Sequence, residues 1–426
     1  MLIEFSVTNF RSIRDRQTLS LAASSAKELA ARNTFRTGFK NLPSLVHSAA
    51  IYGPNAAGKT NLLRAALVMQ QTVTASAAAG QVGQTLNVQP FALSRETRSV
   101  PSEFEIHFIH EKVRYQYGFS ATSTRVFKEW LVAYPSGRPQ LWFKRSYNAK
   151  SKKSLWEFGP KLRGTHKVWR DATRPNALFL STAVQLNNMQ LKPVFDWFQN
   201  RMTVVVPGVE FNRFLTFDLF SKATGKSMVM QFLEAADLGI SDIQVKREPF
   251  NINVQGTPQL LPQGHVFVTA PGTLEAFSAR VFHKANDSKE LVDFDLGEES
   301  NGTQKIFQQI GALLRVLSVG AVVFIDEMES SLHPKLVRFL IELFQSPETN
   351  RRNAQLVFST HDTSVLNNEL LRRDQIWFVE KAKLQSSQLY SMADFSRRKD
   401  EPFEKNYLKG RYGALPILGE LLLNGH

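Results

Sequence analysis

The sequence has no cysteine in 426 residues, which excludes disulfides and thiolate metal sites and fits a cytoplasmic protein. It has no run of 18 apolar residues, so no membrane span is expected. The opening MLIEFSVTNFRSIRD is interrupted by Glu4 and Arg11 too early for a signal-peptide core. There is no internal repeat and no sustained heptad, which argues against a solenoid and against long coiled-coil arms. Acid is scarce relative to base: 38 Asp and Glu against 52 Lys and Arg give a net charge of +14 and a pI near 9.8. Such a balance suggests a polyanionic partner such as nucleic acid, or else a soluble protein with a generously charged surface. Hydrophobic residues make up 43%, enough for a substantial core, and the length suits one large domain or two ordinary ones.

Leu2 to Val7 alternates as a strand, and Ser44 to Tyr52 reads as a second, more apolar one. Asn61 to Val73 has helical spacing, and Thr74 to Gly83 is a fraying helix end or a loop. FEIHFIH and VRYQYGF, between Glu103 and Phe119, predict a hairpin turning near Glu111 and Lys112. Val126–Tyr134, Gln140–Tyr147 and Ser154–Phe158 predict three more strands; Ala177–Asn200 and Ser227–Leu238 predict helices; Gly256–Gly272 predicts a loop. The last third alternates helix Gly302–Leu317, strand Ala321–Ile325, helix Pro334–Phe344, and strands Gln355–Phe358 and Ile376–Glu380. That alternation implies a parallel sheet.

Gly53-Pro54-Asn55-Ala56-Ala57-Gly58-Lys59-Thr60 has the GxxxxGKT form of a phosphate-binding loop, set between an apolar strand and an amphipathic helix. Its glycines let the backbone N–H groups wrap an anion, and the following helix adds its positive end. Lys59 is expected to reach the β- and γ-phosphates of ATP, and the Thr60 hydroxyl to coordinate Mg²⁺. Gly53, Asn55, Ala57, Gly58 and Asn61 complete the expected nucleotide contacts.

Ala321 to Ile325 is an apolar strand ending in Asp326-Glu327, at the sheet edge where ligands bind in such folds. Asp326 is expected to hold the metal, directly or through water, and Glu327 to orient or deprotonate the attacking water. A second apolar strand, Gln355 to Phe358, ends in Ser359-Thr360-His361-Asp362, placing His361 where it could contact the γ-phosphate. Upstream, ESNGTQK opens a helix with Ser300 and Gly302. This is either an ordinary helix cap or a second anion nest. One subunit needs only one phosphate site per ATP, whereas two subunits placed head to tail could each close the other's nucleotide.

The order GPNAAGKT, long insertion, ESNGTQK, FIDE, SSLHP, STHD resembles an ABC-type ATPase, in the branch shared with structural-maintenance-of-chromosomes, RecF-type recombination and overcoming-lysogenization-defect ATPases. The opening IEFSVTNFRSI is typical of that branch, and the resemblance implies that Arg11 contacts the nucleotide. VRYQYGF, EWLVAYP and YLKGRYGALP are similar to ATPases of bacterial antiviral defence systems such as PARIS, Septu and the RloA group. The resemblance implies an α/β P-loop NTPase of ABC ATPase type, with a mixed sheet flanked by helices and an inserted α+β lobe. On that reading residues 1–124 and 286–385 form the ATPase, 125–285 the inserted lobe and 386–426 a C-terminal extension. The sequence departs from transporters in lacking a leading Leu-Ser-Gly-Gly, and no glutamine loop stands out beyond Gln89. Only 65 residues follow His361, too few for the nuclease domain of the overcoming-lysogenization-defect proteins.

From Arg125 to Arg170 there are twelve Lys or Arg against two acids, and four tryptophans: Trp130, Trp142, Trp156 and Trp169. This suits nucleic acid, or a β-meander with core tryptophans and solvated lysines, or an acidic protein partner. Lys150, Lys152 and Lys153 form the best exposed candidate. The expectation is a cytoplasmic ATPase that closes as a head-to-tail dimer, or a multiple of it, and controls a separate effector, a nuclease or toxin encoded nearby. The rival readings are a DNA repair or maintenance ATPase and an ATP-dependent scaffold with negligible turnover.

Overall fold

A computed structural model of the chain describes residues 1–78, 81, 83–249, 265–270, 273–382, 384–395 and 402–416. Two compact units divide the described residues: one drawn from Met1–Val209, Leu317–Glu329 and Leu340–His426, the other from Glu210–Val316 and Ser330–Phe339.

The first unit holds a six-stranded sheet in the order Met202–Val205, Val322–Ile325, Gln355–Ser359, Ser48–Tyr52, Ile376–Lys381 and Ser387–Ser391. The first five strands run parallel and the last returns antiparallel. The implied parallel sheet is therefore present. Ser48–Tyr52, Val322–Ile325 and Gln355–Ser359 are buried at every position, as strands covered on both faces must be. The same unit holds a seven-stranded antiparallel sheet ordered Lys153–Phe158, Gln140–Asn148, Val126–Tyr134, Val113–Ala121, Ser102–His110, Leu2–Thr8 and Gln17–Ser20. The expected hairpin turns at Glu111 and Lys112, both left-handed (φ 48° and 61°), the geometry of a tight two-residue turn. The helix Lys59–Ala75 buries Leu62, Leu63, Ala65, Ala66, Val68, Met69 and Val73, and one apolar core joins it to residues of both sheets.

Three expectations are corrected. Ser44–Tyr52 is not one strand. Leu42–Val46 pairs antiparallel with Thr34–Phe39, while Ser48–Tyr52 enters the parallel sheet. His47 makes the change: its N–H donates to Asn33 O (2.9 Å), and its carbonyl accepts from Leu356 (2.9 Å). Ala177–Asn200 is two helices, Phe179–Gln185 and Lys192–Asn200. Between them Asn187 is left-handed (φ 65°), and Asn188 Oδ1 accepts from Leu191 N (2.8 Å) in the turn that leads into the second helix. Of the expected loop Gly256–Gly272, residues 265–270 form a strand, and the rest lies outside the described residues.

The second unit contains the strands Asp242–Pro249, His265–Ala270 and Leu291–Asp295, all paired antiparallel with Thr273–Lys284. Its helices include Phe214–Leu219 and Ala223–Ala235, and the helix Asn301–Val319 begins in it. Among the described residues, no helix is long and apolar enough to cross a membrane.

Candidate functional site

Three parallel strands of the first unit release their chains at the same edge of the sheet. Ser48–Tyr52 leads into Gly53–Thr60, Val322–Ile325 into Asp326, and Gln355–Ser359 into Thr360 and His361. The loop bends through left-handed Ala56 (φ 60°) and Gly58 (φ 114°). A side chain cannot replace Gly58: a Cβ there would lie 2.0 Å from Ser387 Oγ and 2.7 Å from Ser12 Oγ. These hydroxyls brace the loop. Ser387 Oγ donates to Ala57 O, Ser387 N donates to Ser12 O (2.7 Å), and Asn61 Nδ2 donates to Ser12 Oγ (2.8 Å).

Lys59 is only 6% exposed. Its ammonium donates to Gly53 O (2.7 Å) and Pro54 O (3.2 Å) and lies 3.1 Å from His361 Nε2. Burial lowers its pKa, opposed by the negative charges of Asp326, Glu327 and Glu329. Burial, and then Lys59, lower the His361 pKa below its ordinary 6.5. The imidazole is therefore neutral at pH 7, so Nε2 accepts from the ammonium and the ring proton sits on Nδ1.

Ser359 links the Asp326 carboxylate to the backbone of Glu327. Its hydroxyl donates to Asp326 Oδ1 and accepts from Glu327 N (2.8 Å). Asp326 is 9% exposed, and its Oδ2 is buried with no hydrogen-bond partner among the described residues. Glu327 is exposed and sits at φ 47°, a left-handed backbone that costs a non-glycine residue about 1–2 kcal/mol. Strain held in this way directs a side chain that the fold over-determines. Glu329 Oε1 accepts from His361 N (2.6 Å), and its Oε2 is buried without a partner. A cavity of about 620 Å³ opens beside the loop, lined by Gly53, Asn55, His361, Glu380, Lys381 and Tyr407 among others.

The residues present suit a magnesium ion and a triphosphate. Asp326 Oδ2 is a hard, unpartnered oxygen, and Thr60 follows the lysine at the start of its helix. Among the described residues, no three His, Asp or Glu side chains cluster as a metal cage. Mg²⁺ needs no such cage, because it takes one or two protein ligands along with phosphate oxygens and water.

Arg11 is also left-handed (φ 50°); its N–H donates to Gln89 O (2.8 Å), and its Nε is buried without a partner. Arg11, whose contact with the nucleotide the resemblance implies, is thus joined through backbone to Gln89. Ser300 and Gly302 belong to the second unit. There Ser300 Oγ accepts from Thr303 N (3.1 Å), which makes it the cap of the helix Asn301–Val319.

Trp142 and Trp169 are buried, and Trp156 packs on Phe158 and Phe179. Trp130 covers Gly118, where a Cβ would lie 2.3 Å from the indole. These tryptophans are packing residues. Lys150, Lys152 and Lys153 are exposed on a turn that Asn148 Oδ1 holds by accepting from Lys150 N and Ser151 N.

Sequence reasoning missed Ser12, Glu329 and Ser387. Glu329 and Ser387 lie two residues past the Asp-Glu pair and at the start of the sheet's last strand. Nothing local marks them, since their partners are 32 and 330 residues away.

Over residues 48–367 the chain matches the family described as "AAA domain, putative AbiEii toxin, Type IV TA system". No curated protein matches it. Among solved structures it is similar to the SmcHead bound to the C-winged helix domain of ScpA, at 14% identity and TM-score 0.37, covering 92% of this chain and 97% of that one. It is also similar to the SMC head domain from Thermotoga maritima, at 12% identity and TM-score 0.38, covering 92% of this chain and 98% of that one.

Proposed function

Because the chain belongs to the family described as "AAA domain, putative AbiEii toxin, Type IV TA system", we propose that it binds ATP with Mg²⁺ at Gly53–Thr60 and hydrolyses it. The observation that carries this reading is the meeting of Lys59, His361 and Asp326 at one sheet edge, with a buried carboxylate oxygen left unpartnered. The loop N–H groups and Lys59 bind the phosphates, Asn55, Ala57 and Asn61 complete the cradle, and Arg11 approaches the nucleotide from its own turn. Thr60 and Asp326 hold the ion, whose charge neutralises the β- and γ-oxygens. Glu327 accepts a proton from the attacking water or orients it. Neutral His361 donates from its ring to the γ-phosphate side, and Glu329 fixes its backbone.

The catalytic unit is a head-to-tail dimer in which Ser300 and Gly302 of one copy close the nucleotide of the other. The second helix N-terminus, capped by Ser300, supports this arrangement. The protein acts as the ATP-driven sensor of an antiviral defence system and controls a separate effector. The toxin named in the family description favours this over repair, the second reading.

The test is steady-state hydrolysis by wild type, Lys59→Ala and Glu327→Gln, with mass measured by light scattering. Wild-type turnover, loss of about a hundredfold or more in both variants, and an ATP-stabilised dimer of Glu327→Gln are expected. Wild-type turnover in Glu327→Gln would remove the base assignment. An unchanging monomer would remove the sandwich.

A further inference from the structure

The parallel strands also have an amino edge, and there the first unit opens into a second cavity of about 640 Å³. Arg201 precedes the strand Met202–Val205, Gly320 precedes Val322–Ile325, and Arg352 precedes Gln355–Ser359. The hairpin turn Glu111–Lys112 forms another wall, and Phe39 and Ile109 supply apolar surface. Local backbone shapes the cavity. Gly320 is left-handed (φ 67°), and a Cβ on it would lie 2.3 Å from Arg352 O, so the two lead-ins approach as only glycine permits.

Lys112, Arg201 and Arg352 line this space, and none of the three side chains makes a hydrogen bond or ion pair among the described residues. The single lining carboxylate among the described residues, Glu111, is exposed and lies 3.8 Å from His110 Nε2. The positive field reaches into the cavity: burial, opposed by Glu111, and then the N-terminal amine of Met1 and Arg201 hold the His110 imidazole below its ordinary pKa. Three cations facing one exposed carboxylate leave a net positive field, and an anion bound between them lowers that energy. Two guanidinium forks and an ammonium suit phosphate oxygens. The volume lies in the range of small-molecule sites.

We propose that this cavity is a second anion site, taking a nucleotide-sized phosphate ligand with its phosphate on Arg201, Arg352 and Lys112 and its apolar portion against Phe39 and Ile109. The site is separate from the ATP loop and does not rest on hydrolysis there. The same chemistry is offered by a free nucleotide and by the phosphorylated end of a strand.

The test uses the full chain with Lys59→Ala, which silences the loop, and titrates AMP and a 5′-phosphorylated trinucleotide by calorimetry. Binding is expected, weakened about tenfold or more when Arg201 or Arg352 is changed to alanine. Arg352→Ala and Lys112→Ala are exposed changes that leave the fold intact, and melting curves check this for all three. A trinucleotide that binds tighter than AMP identifies a strand end, and AMP at least as tight identifies a free nucleotide. No binding of either ligand at millimolar concentration, or affinity unchanged in Arg352→Ala and Lys112→Ala, overturns the proposal.

Discussion

Glu129 and Asp326 are both carboxylates on or beside buried strands of the first unit, and they differ in what surrounds them. Glu129, in the antiparallel sheet, is 0% exposed and fully engaged. Its Oε2 meets Arg145 Nε (2.9 Å) and Phe179 N (2.7 Å), and its Oε1 accepts from Tyr117 (3.0 Å) and Leu180 N (3.0 Å). Asp326, at the end of a parallel strand, has one oxygen on Ser359 and the other buried without a protein partner. A buried charge whose acceptors are all used ties elements together. A buried charge left half-satisfied is held ready for something the protein does not itself contain. The sheet around Glu129 is scaffold, and the edge around Asp326 is the proposed site.

The largest effect should come from breaking the saturated charge. Glu129→Ala leaves the Arg145 guanidinium buried, with Ala177 O as its remaining partner, and strips the N-terminus of the helix Phe179–Gln185 of its acceptor. Removing one member of such a pair costs about 3–5 kcal/mol. Chemical denaturation should show that loss, or an insoluble protein, and Glu129→Gln should recover part of it. A loss below about 1 kcal/mol would show that Glu129 does not tie the scaffold together.

Next is a titration that separates the two histidines. Burial pushes the His47 imidazole down to about 4, opposed by a backbone hydrogen bond to Ala354, while the unfolded chain titrates near 6.5. As pH falls below 6.5 the unfolded chain takes the proton first. The stability that neutral His47 contributes is complete above that pH and is lost down to about 4. Between pH 7 and 4.5 the wild type should lose about 2–3 kcal/mol more than His47→Gln. Equal losses would show that His47 titrates normally. His361 is lowered as well, but it is exposed and belongs to the proposed site, so its replacement should move the pH profile of hydrolysis and leave the melting curve in place.

Asp326→Asn tests the other half of the comparison. The amide keeps an oxygen for Ser359 and removes an unpartnered buried charge, so stability should hold or rise by up to about 1 kcal/mol. Mg²⁺-dependent ATP hydrolysis should fall about a hundredfold, equivalent to about 2.7 kcal/mol in the barrier. A destabilised protein with intact turnover would place Asp326 with Glu129, as scaffold.

The same contrast explains what the sequence discloses. GPNAAGKT is a local code, because the loop, the lysine and the helix start lie within eight residues, and the apolar strands before Asp326 and His361 announce themselves by composition. The contacts that tune these residues are not local. Ser359 reaches back 33 residues to Asp326, and Ser387 reaches 330 residues back to Ala57, through serines indistinguishable from any others. Element ends fail for a related reason. His47 joins two apolar strands without a turn residue, and Asn187-Asn188 divides a helical pattern by a left-handed residue and a side-chain turn bond that periodicity does not register.

The smallest effect on stability, and the sharpest on partners, belongs to the turn carrying Lys150, Lys152 and Lys153. The nearby tryptophans are engaged in packing and not presented for stacking on bases. What remains is phosphate neutralisation, a salt-dependent and sequence-independent attraction. Changing all three to glutamate should alter stability by less than about 0.5 kcal/mol, because nothing on this exposed turn is buried by them. If the turn contacts nucleic acid, affinity for double-stranded DNA at low salt should drop and the salt slope should shrink by up to about three units, one per lost phosphate contact. An unchanged slope would make these lysines solvated surface, and would leave the chain's excess of positive charge to be explained by partners that bind elsewhere.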